Sequence, residues 1–201
     1  MSPLIRTPHP GREDVQIRTV HMVAAEGAKT EVRYFKSLGL MYGVPVKCIG
    51  GGHGSAPQKV LESMEDALAR KADGFPFKAW VVIDRDSWDP AQLDKIVKWA
   101  QQSPHYHFAL SNPNFEYWLL LHLENARRLR AKECLAQIKK HYPNYNKEFD
   151  LRRLTHEQIL LAISRGKQRD KPPCKSWPRE LGVTTVYRLV ESILEESKLY
   201  R

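Results

Sequence analysis

The chain has 201 residues, 42% of them hydrophobic and 27% charged, ordinary proportions for a globular fold with one core and room for an appended subdomain. No apolar run approaches the roughly 20 residues of a membrane span, and the opening MSPLIRTPHPGRED lacks the apolar stretch of a secretory signal. The net charge of +9 is unevenly placed: residues 1–125 balance at 14 basic and 14 acidic, while residues 126–201 carry 18 basic against 9 acidic. Such an excess favours a polyanionic partner, with nucleic acid the usual one, over a merely solvated basic surface. Cys48, Cys134 and Cys174 are odd in number and widely spaced, which argues against a disulfide framework or zinc knuckle and suits a reducing cytoplasm.

Residues 1–15 hold Pro3, Pro8 and Pro10 with little apolar periodicity, and read as a flexible arm. IRTVHMVAAEG is a strand ending at Glu26-Gly27. AKTEVRYFKSLGL follows as a helix closed near Gly39, then VPVKCI as a strand and GGHGSAP as a glycine-rich turn. APQKVLESMEDALARKA is a helix, KAWVVID a strand, DPAQLDKIVKWAQQ a helix with Pro90 in its first turn, and YHFAL a strand. SNPNFEYWLLLHLE is a helix with Ser111 or Asn112 as cap and Pro113 first. Beyond residue 126 the pattern is helical only: ARRLRAKECLAQIKKHY, THEQILLAISRGK and TTVYRLVESILEES. Strands alternating with helical connections predict a parallel sheet with helices on both faces.

In such a sheet, function gathers at the carboxyl ends of the strands. Glu26, Asp84, Asp86 and the Ser111–Glu116 segment all fall there. Converging carboxylates repel unless a cation sits among them, and all-oxygen ligation favours Mg²⁺ or Mn²⁺ over zinc. Asp-x-Asp also occurs in phosphatases and sugar-nucleotide transferases, although the phosphatase form wants Thr or Val where this chain has Trp88. A plainer reading makes DRDSWDP a helix cap at Asp89. Glu31 could face water in its helix's first turn, and Glu116 could be a capping carboxylate, half-buried among Phe115, Tyr117 and Trp118. His105 and His107 read as a surface pair, and His122 as a satisfied core histidine. The stretches ARRLRAK and SRGKQRDKPPCKSWPR suit phosphate contact, the second with Trp177 available for base stacking.

EGAKTEVRYF, VVIDRDSW, SNPNFEYWLLLH, YNKEF and TTVYRLVESI together resemble the RloB-like family, in the family's order and from about residue 16 onward. That family carries a Toprim-type domain and is associated with restriction-modification and phage-defence loci. Its fold is similar to the metal-binding core of topoisomerases, primases and overcoming-lysogenization-defect nucleases. The resemblance implies Glu26 as general acid/base or metal ligand, and Asp84 and Asp86 as Mg²⁺ ligands. It matches Glu31 to a second acid, Ser111 and Glu116 to a Ser-containing acidic segment, and Lys147 to a lysine that neutralises transition-state charge. The chain departs from topoisomerases in having no evident tyrosine-bearing partner domain, and from primases in lacking a Cys/His zinc module. GGHGSAP lacks the Lys-[Ser/Thr] of a P-loop, so any ATPase partner is a separate chain.

The expectation is an α/β fold: a Toprim-like, Rossmann-like parallel sheet of about four strands flanked by helices over residues 16–125, followed by a basic helical extension over 126–201. The expected activity is that of an Mg²⁺-dependent (or Mn²⁺-dependent) endonuclease of a phage-defence or restriction-linked system acting in abortive infection. Glu26, Asp84, Asp86 and Lys147 would be catalytic, and Glu26, Glu31, Asp84, Asp86 and Glu116 the metal ligands. Arg127, Arg128, Arg130, Lys167, Arg169, Lys171 and Lys175 would meet DNA or RNA. A separate ATPase and a second copy of the chain are the protein partners the reading admits. The competing expectation is a non-catalytic nucleic-acid-binding subunit of a defence complex.

Overall fold

The computed structural model describes residues 18–27, 29–50, 56–71, 74–85 and 88–198. The N-terminal arm, most of the glycine-rich loop and Asp86 lie outside the described residues. In chain order the elements are β1 (Val20–Ala25), α1 (Thr30–Tyr42), β2 (Val46–Ile49), α2 (Pro57–Ala69), β3 (Phe77–Asp84), α3 (Pro90–Ala100), β4 (Tyr106–Asn112) and α4 (Phe115–Leu123). Then come α5 (Ala131–His141), a 3₁₀ turn (Leu151–Arg153), α6 (His156–Arg169), β5 (Val183–Thr184) and α7 (Val186–Lys198). The sheet runs β2-β1-β3-β4-β5, with the first four strands parallel and β5 antiparallel to β4.

The α/β reading therefore holds, with helices on both faces of a mostly parallel sheet. β1 and β3 are near-continuous apolar runs because both of their faces are covered. Alternation along β3 sends Ala79, Val81 and Ile83 to one apolar cluster with α2 and α3. Trp80 and Val82 face the other, which α1, α4, α5, α6 and α7 complete. Among the described residues no helix is long and apolar enough to cross a membrane.

Three local expectations change. The C-terminal part is not helical only, because Val183 and Thr184 add an edge strand beside Ser111 and Asn112. Ser111 and Asn112 continue β4 rather than capping a helix, and α4 begins at Phe115 after Asn114, which makes no side-chain cap. Gly39 lies inside α1; the helix ends at Gly43, whose φ of 65° is the left-handed conformation glycine adopts without steric cost. By contrast Asp89 caps α3 as its sequence suggests, accepting from Ala91 N–H at 2.7 Å with Pro90 at the first helical position.

The proline-rich segment before β5 is held at both ends. Asp170, buried, accepts from Cys174 N–H at 2.9 Å, from Tyr187 O–H at 2.9 Å and from the Arg188 guanidinium at 2.7 Å. Trp177 is 2% exposed, packs in the α2/α3 cluster and donates its indole N–H to Asp94 at 2.8 Å. Its ring carries the Arg179 guanidinium at 3.5 Å and that of Arg85 at 5.3 Å. The expectation of Trp177 as a base-stacking surface is overturned, because the ring is an anchor of the core.

Three histidines are held neutral by the fold. At the amino edge of the sheet, His21 Nε2 lies 3.2 Å from Ser192 Oγ, which also accepts from Lys78 Nζ at 2.9 Å. Burial, then the Lys78 charge, lowers His21 to about 4. His107 is not a free surface residue: it stacks on Trp80 at 4.4 Å, and burial followed by Lys78 lowers it to about 4. His122, buried as a core histidine, donates from Nδ1 to the Trp118 carbonyl and accepts from Tyr34 O–H at 3.0 Å. Burial takes it to about 4 as well. Each folded value lies below the ordinary 6.5, so the neutral form is the one the fold favours. Their stabilisation is complete above about pH 6.5 and is lost as pH falls towards 4. The melting temperature should fall through that window, and His107→Phe should remove about one proton's worth of the slope. An unchanged slope in the variant would contradict a neutral, half-buried His107.

Candidate active site at the carboxyl edge of the sheet

Parallel register aligns the strand ends. Ala25 pairs with Val82, and Asp84 with Ser111, so the chain leaves β1, β3 and β4 at one edge. Glu26, the first residue after β1, is half-buried and accepts from the Asp84 backbone N–H at 3.2 Å. The Trp88 indole N–H reaches both Glu26 oxygens at 3.3 Å. Trp88 is itself held by Arg85, which donates to its carbonyl, while Arg85 N–H donates to the Ser111 carbonyl at 2.8 Å. The hydroxyl of Ser111 is engaged with that of Thr184 at 2.9 Å. The end of β3 at Asp84 and Arg85 is thus fastened to β1, to β4 and, through Arg85, to Trp177.

A second pair of acids meets behind this edge. Glu31 in the first turn of α1 is 7% exposed, and Glu116 in the first turn of α4 is 9% exposed. Neither faces water, which settles the plainer reading of Glu31 against a solvated first turn. Glu116 accepts from Tyr145 O–H at 3.2 Å. Burial raises the Glu31 carboxyl above its ordinary range; its own and the Gly27 N–H groups oppose this, the Glu116 charge adds to it, and Lys147 offsets part. Burial first, then the Glu116 charge, raises the Tyr145 phenol, which therefore stays a donor. Burial pushes the Cys134 thiol up to about 12, with Glu116, Glu133 and Asp84 adding to the effect, so it sits beside the acids as an inert thiol.

The segment carrying Tyr145 and Lys147 is fixed from α1. Thr30 Oγ1 donates to the Lys147 carbonyl at 2.7 Å, and Lys147 has a φ of 68°. A non-glycine residue held there costs about 1 kcal/mol or more, so the surrounding contacts must impose it. Lys147 is exposed, and its charge reaches Glu31. Sequence reading missed Tyr145, Trp88 and Thr30, although the first two stand in YNKEF and DRDSW.

The basic residues are less uniform. Arg127, Arg130, Lys171 and Lys175 are exposed. Arg128 is also exposed but pairs with Glu180 at 2.8 Å, and Lys167 pairs with Glu191. Arg169 is half-buried and donates to the Asn125 side chain at 2.7 Å and the Ala126 carbonyl at 3.1 Å, closing the chain that leaves α4.

Carboxylates at the ends of β1 and β3 and in the first turns of α1 and α4 offer hard oxygen donors, the right chemistry for Mg²⁺ or Mn²⁺. Among the described residues no three His, Cys, Asp or Glu side chains are gathered as a metal cluster, and Asp86 lies outside them. Gly27 is the hinge of the arrangement: a β-carbon there would lie 1.9 Å from Glu31 Oε2. Gly27→Ala must push the buried Glu31 carboxylate aside. It should lower stability by about 1–3 kcal/mol in chemical denaturation, a cost of overpacking. A change near zero would show that Glu31 is free to move.

The family model described as RloB-like protein matches residues 21–193. No curated protein and no solved structure matches the chain. The matched span begins inside β1 and ends inside α7, taking in both acid pairs, the Tyr145–Lys147 segment and β5. On that match the chain belongs to the RloB-like family.

Proposed function

We propose that this protein is a metal-dependent nuclease with a Toprim-like core, hydrolysing phosphodiester bonds in a phage-defence or restriction-linked system of the cytoplasm. One observation carries the reading: at the carboxyl edge of a parallel sheet the Glu26 carboxylate is held on the Asp84 backbone N–H at the end of β3, and buried Glu31 and Glu116 approach each other from two helices. Clustering of that kind is costly for a fold unless charge of the opposite sign joins it. Glu26, Asp84 and Asp86, with Glu31 and Glu116 behind them, would hold the ion. When bound, Mg²⁺ or Mn²⁺ supplies Lewis acidity and a nucleophilic water at neutral pH.

The rest is done by the chain's own side chains. Trp88 and the Asp84 N–H hold both oxygens of Glu26 in place, and Glu26 would take the proton of an attacking water. Tyr145 orients Glu116. Lys147, held on its left-handed turn by Thr30, places a cation where charge develops on the scissile phosphate. The exposed Arg127, Arg130, Lys171 and Lys175 add sequence-independent affinity for the phosphate backbone. A separate ATPase and self-association belong to the same proposal.

The exposed Arg127, Arg130, Lys171 and Lys175 would serve equally in a second reading, a nucleic-acid-binding subunit without chemistry. Wild type and Asp84→Asn, incubated with circular DNA, linear DNA and RNA in Mg²⁺, Mn²⁺ or EDTA, separate the two. The nuclease reading expects metal-dependent cleavage that falls by about 10²-fold or more in the variant. Cleavage in EDTA, or an unchanged rate in Asp84→Asn, would overturn it. Tight binding that leaves every substrate intact would establish the second reading.

A further inference from the structure

On the far side of the Tyr145–Lys147 segment lies a cleft of about 790 Å³, between α1 and residues 141–153. α1 contributes Arg33 and Lys36 to it, one turn apart on the same face, and the opposite wall contributes Tyr142, Arg152 and Arg153. Two carboxylates, Glu148 and Asp150, also line it. Each is paired with a cleft cation: Arg33 with Glu148 at 2.7 Å, and Arg152 with Asp150 at 2.9 Å. The side chains of both pairs are substantially exposed, so these contacts contribute little and yield readily to a stronger anion. Among the described residues neither Lys36 nor Arg153 forms an ion pair. The Arg153 guanidinium instead lies 5.9 Å from the Tyr142 ring.

The cleft and the acid cluster share a wall. Tyr145 lines the cleft, while its hydroxyl donates to Glu116 on the other side. α1 also joins them: Glu31 in its first turn faces the acids, and Lys36 lies five residues further along. At 1.5 Å and 100° per residue the two lie about 7.5 Å apart along the axis and about 140° apart around it, so one helix turns an acid to the cluster and a cation to the cleft. A cleft of this volume takes a ligand the size of a few nucleotides and no duplex.

We propose that this cleft binds the sugar-phosphate backbone of a single nucleic-acid strand beside the acid cluster, with Lys36 and Arg153 as its principal phosphate contacts and Tyr142 as a stacking platform. The assignment rests on the nuclease reading for its purpose but not for its test. The partner is recognised as a polyphosphate chain with aromatic bases: cations track the backbone, and one tyrosine face accepts a base of any identity.

The test uses fluorescein-labelled single-stranded DNA and RNA 12-mers and the full chain in EDTA, with binding read by anisotropy across a salt series. Lys36→Glu with Arg153→Glu should weaken binding by about 10-fold or more and flatten the salt dependence by about two counterions. Lys36→Gln with Arg153→Gln serves where charge reversal disturbs folding, and should lose the same two counterions. Affinity within twofold of wild type, with an unchanged salt slope in the Gln pair, would overturn the cleft. Displacement of the 12-mer by AMP or inorganic phosphate at matched phosphate concentration would overturn the strand assignment in favour of a small-anion site. If the variants lose binding while wild type never cleaves, the cleft stands and the nuclease reading falls. If wild type cleaves and the variants bind as it does, the reverse holds.

Discussion

The constraint on which the rest depends is that α4 has no polar face. Phe115 through His122 are all buried, so this helix must be enclosed on every side. α1, α5, α6 and the 142–154 segment enclose it, through Tyr34, Phe35, Cys134, Ile138, Phe149 and Ile159 in the same cluster. Glu116 rides on that helix and is drawn into the interior with it, where a carboxylate needs a partner. Tyr145 provides a hydrogen bond, and Glu31 arrives beside it from α1. The helix that closes the core is therefore also what creates the buried acid pair.

The two edges of the sheet have opposite electrostatic character. At the amino edge Lys78 lies among His21, His107 and Ser192, and both imidazoles are kept neutral by burial and by that cation. At the carboxyl edge acids gather, with Arg85 following Asp84 and Lys147 approaching from a loop. The segment around Trp177 couples this carboxyl edge to the C-terminal third of the chain. It anchors in the α2/α3 cluster, stacks with Arg85 and leads to β5, which pairs with the residues just before α4. A basic stretch that reads as a surface tract is thus tied at its tryptophan to Arg85, the residue that follows Asp84.

Much of the fold was legible because β1 and β3 are apolar runs of strand length, and α2 and α3 have one apolar stripe each. Pro90 and Asp89 mark the start of α3 by local chemistry alone, and the helix begins there. What failed depended on distant contacts. β5 is two residues long and exists only because Ser111 and Asn112 lie beside it. Those same residues looked like a helix cap because Ser and Asn before Pro usually are one. For Glu31 the plainer option of a solvated first turn fails, because Thr30 beside it is bonded to Lys147, more than 110 residues later. Trp177 among cations looks like a base platform in sequence, and only the position of Asp94 shows it turned inward. The acids at the strand ends were visible from order and spacing; their pairing, and Tyr145 behind them, required the fold.

The central claim is that these converging carboxylates hold a hard divalent ion. Mn²⁺ uptake tests it most directly, read by the loss of the free-ion paramagnetic resonance signal as protein is added, with no nucleic acid present. The account predicts saturable uptake by wild type that disappears in Glu26→Gln with Asp84→Asn, while the metal-free melting temperature of the variant is no lower than that of wild type. No uptake by wild type, or equal uptake by the variant, would contradict it.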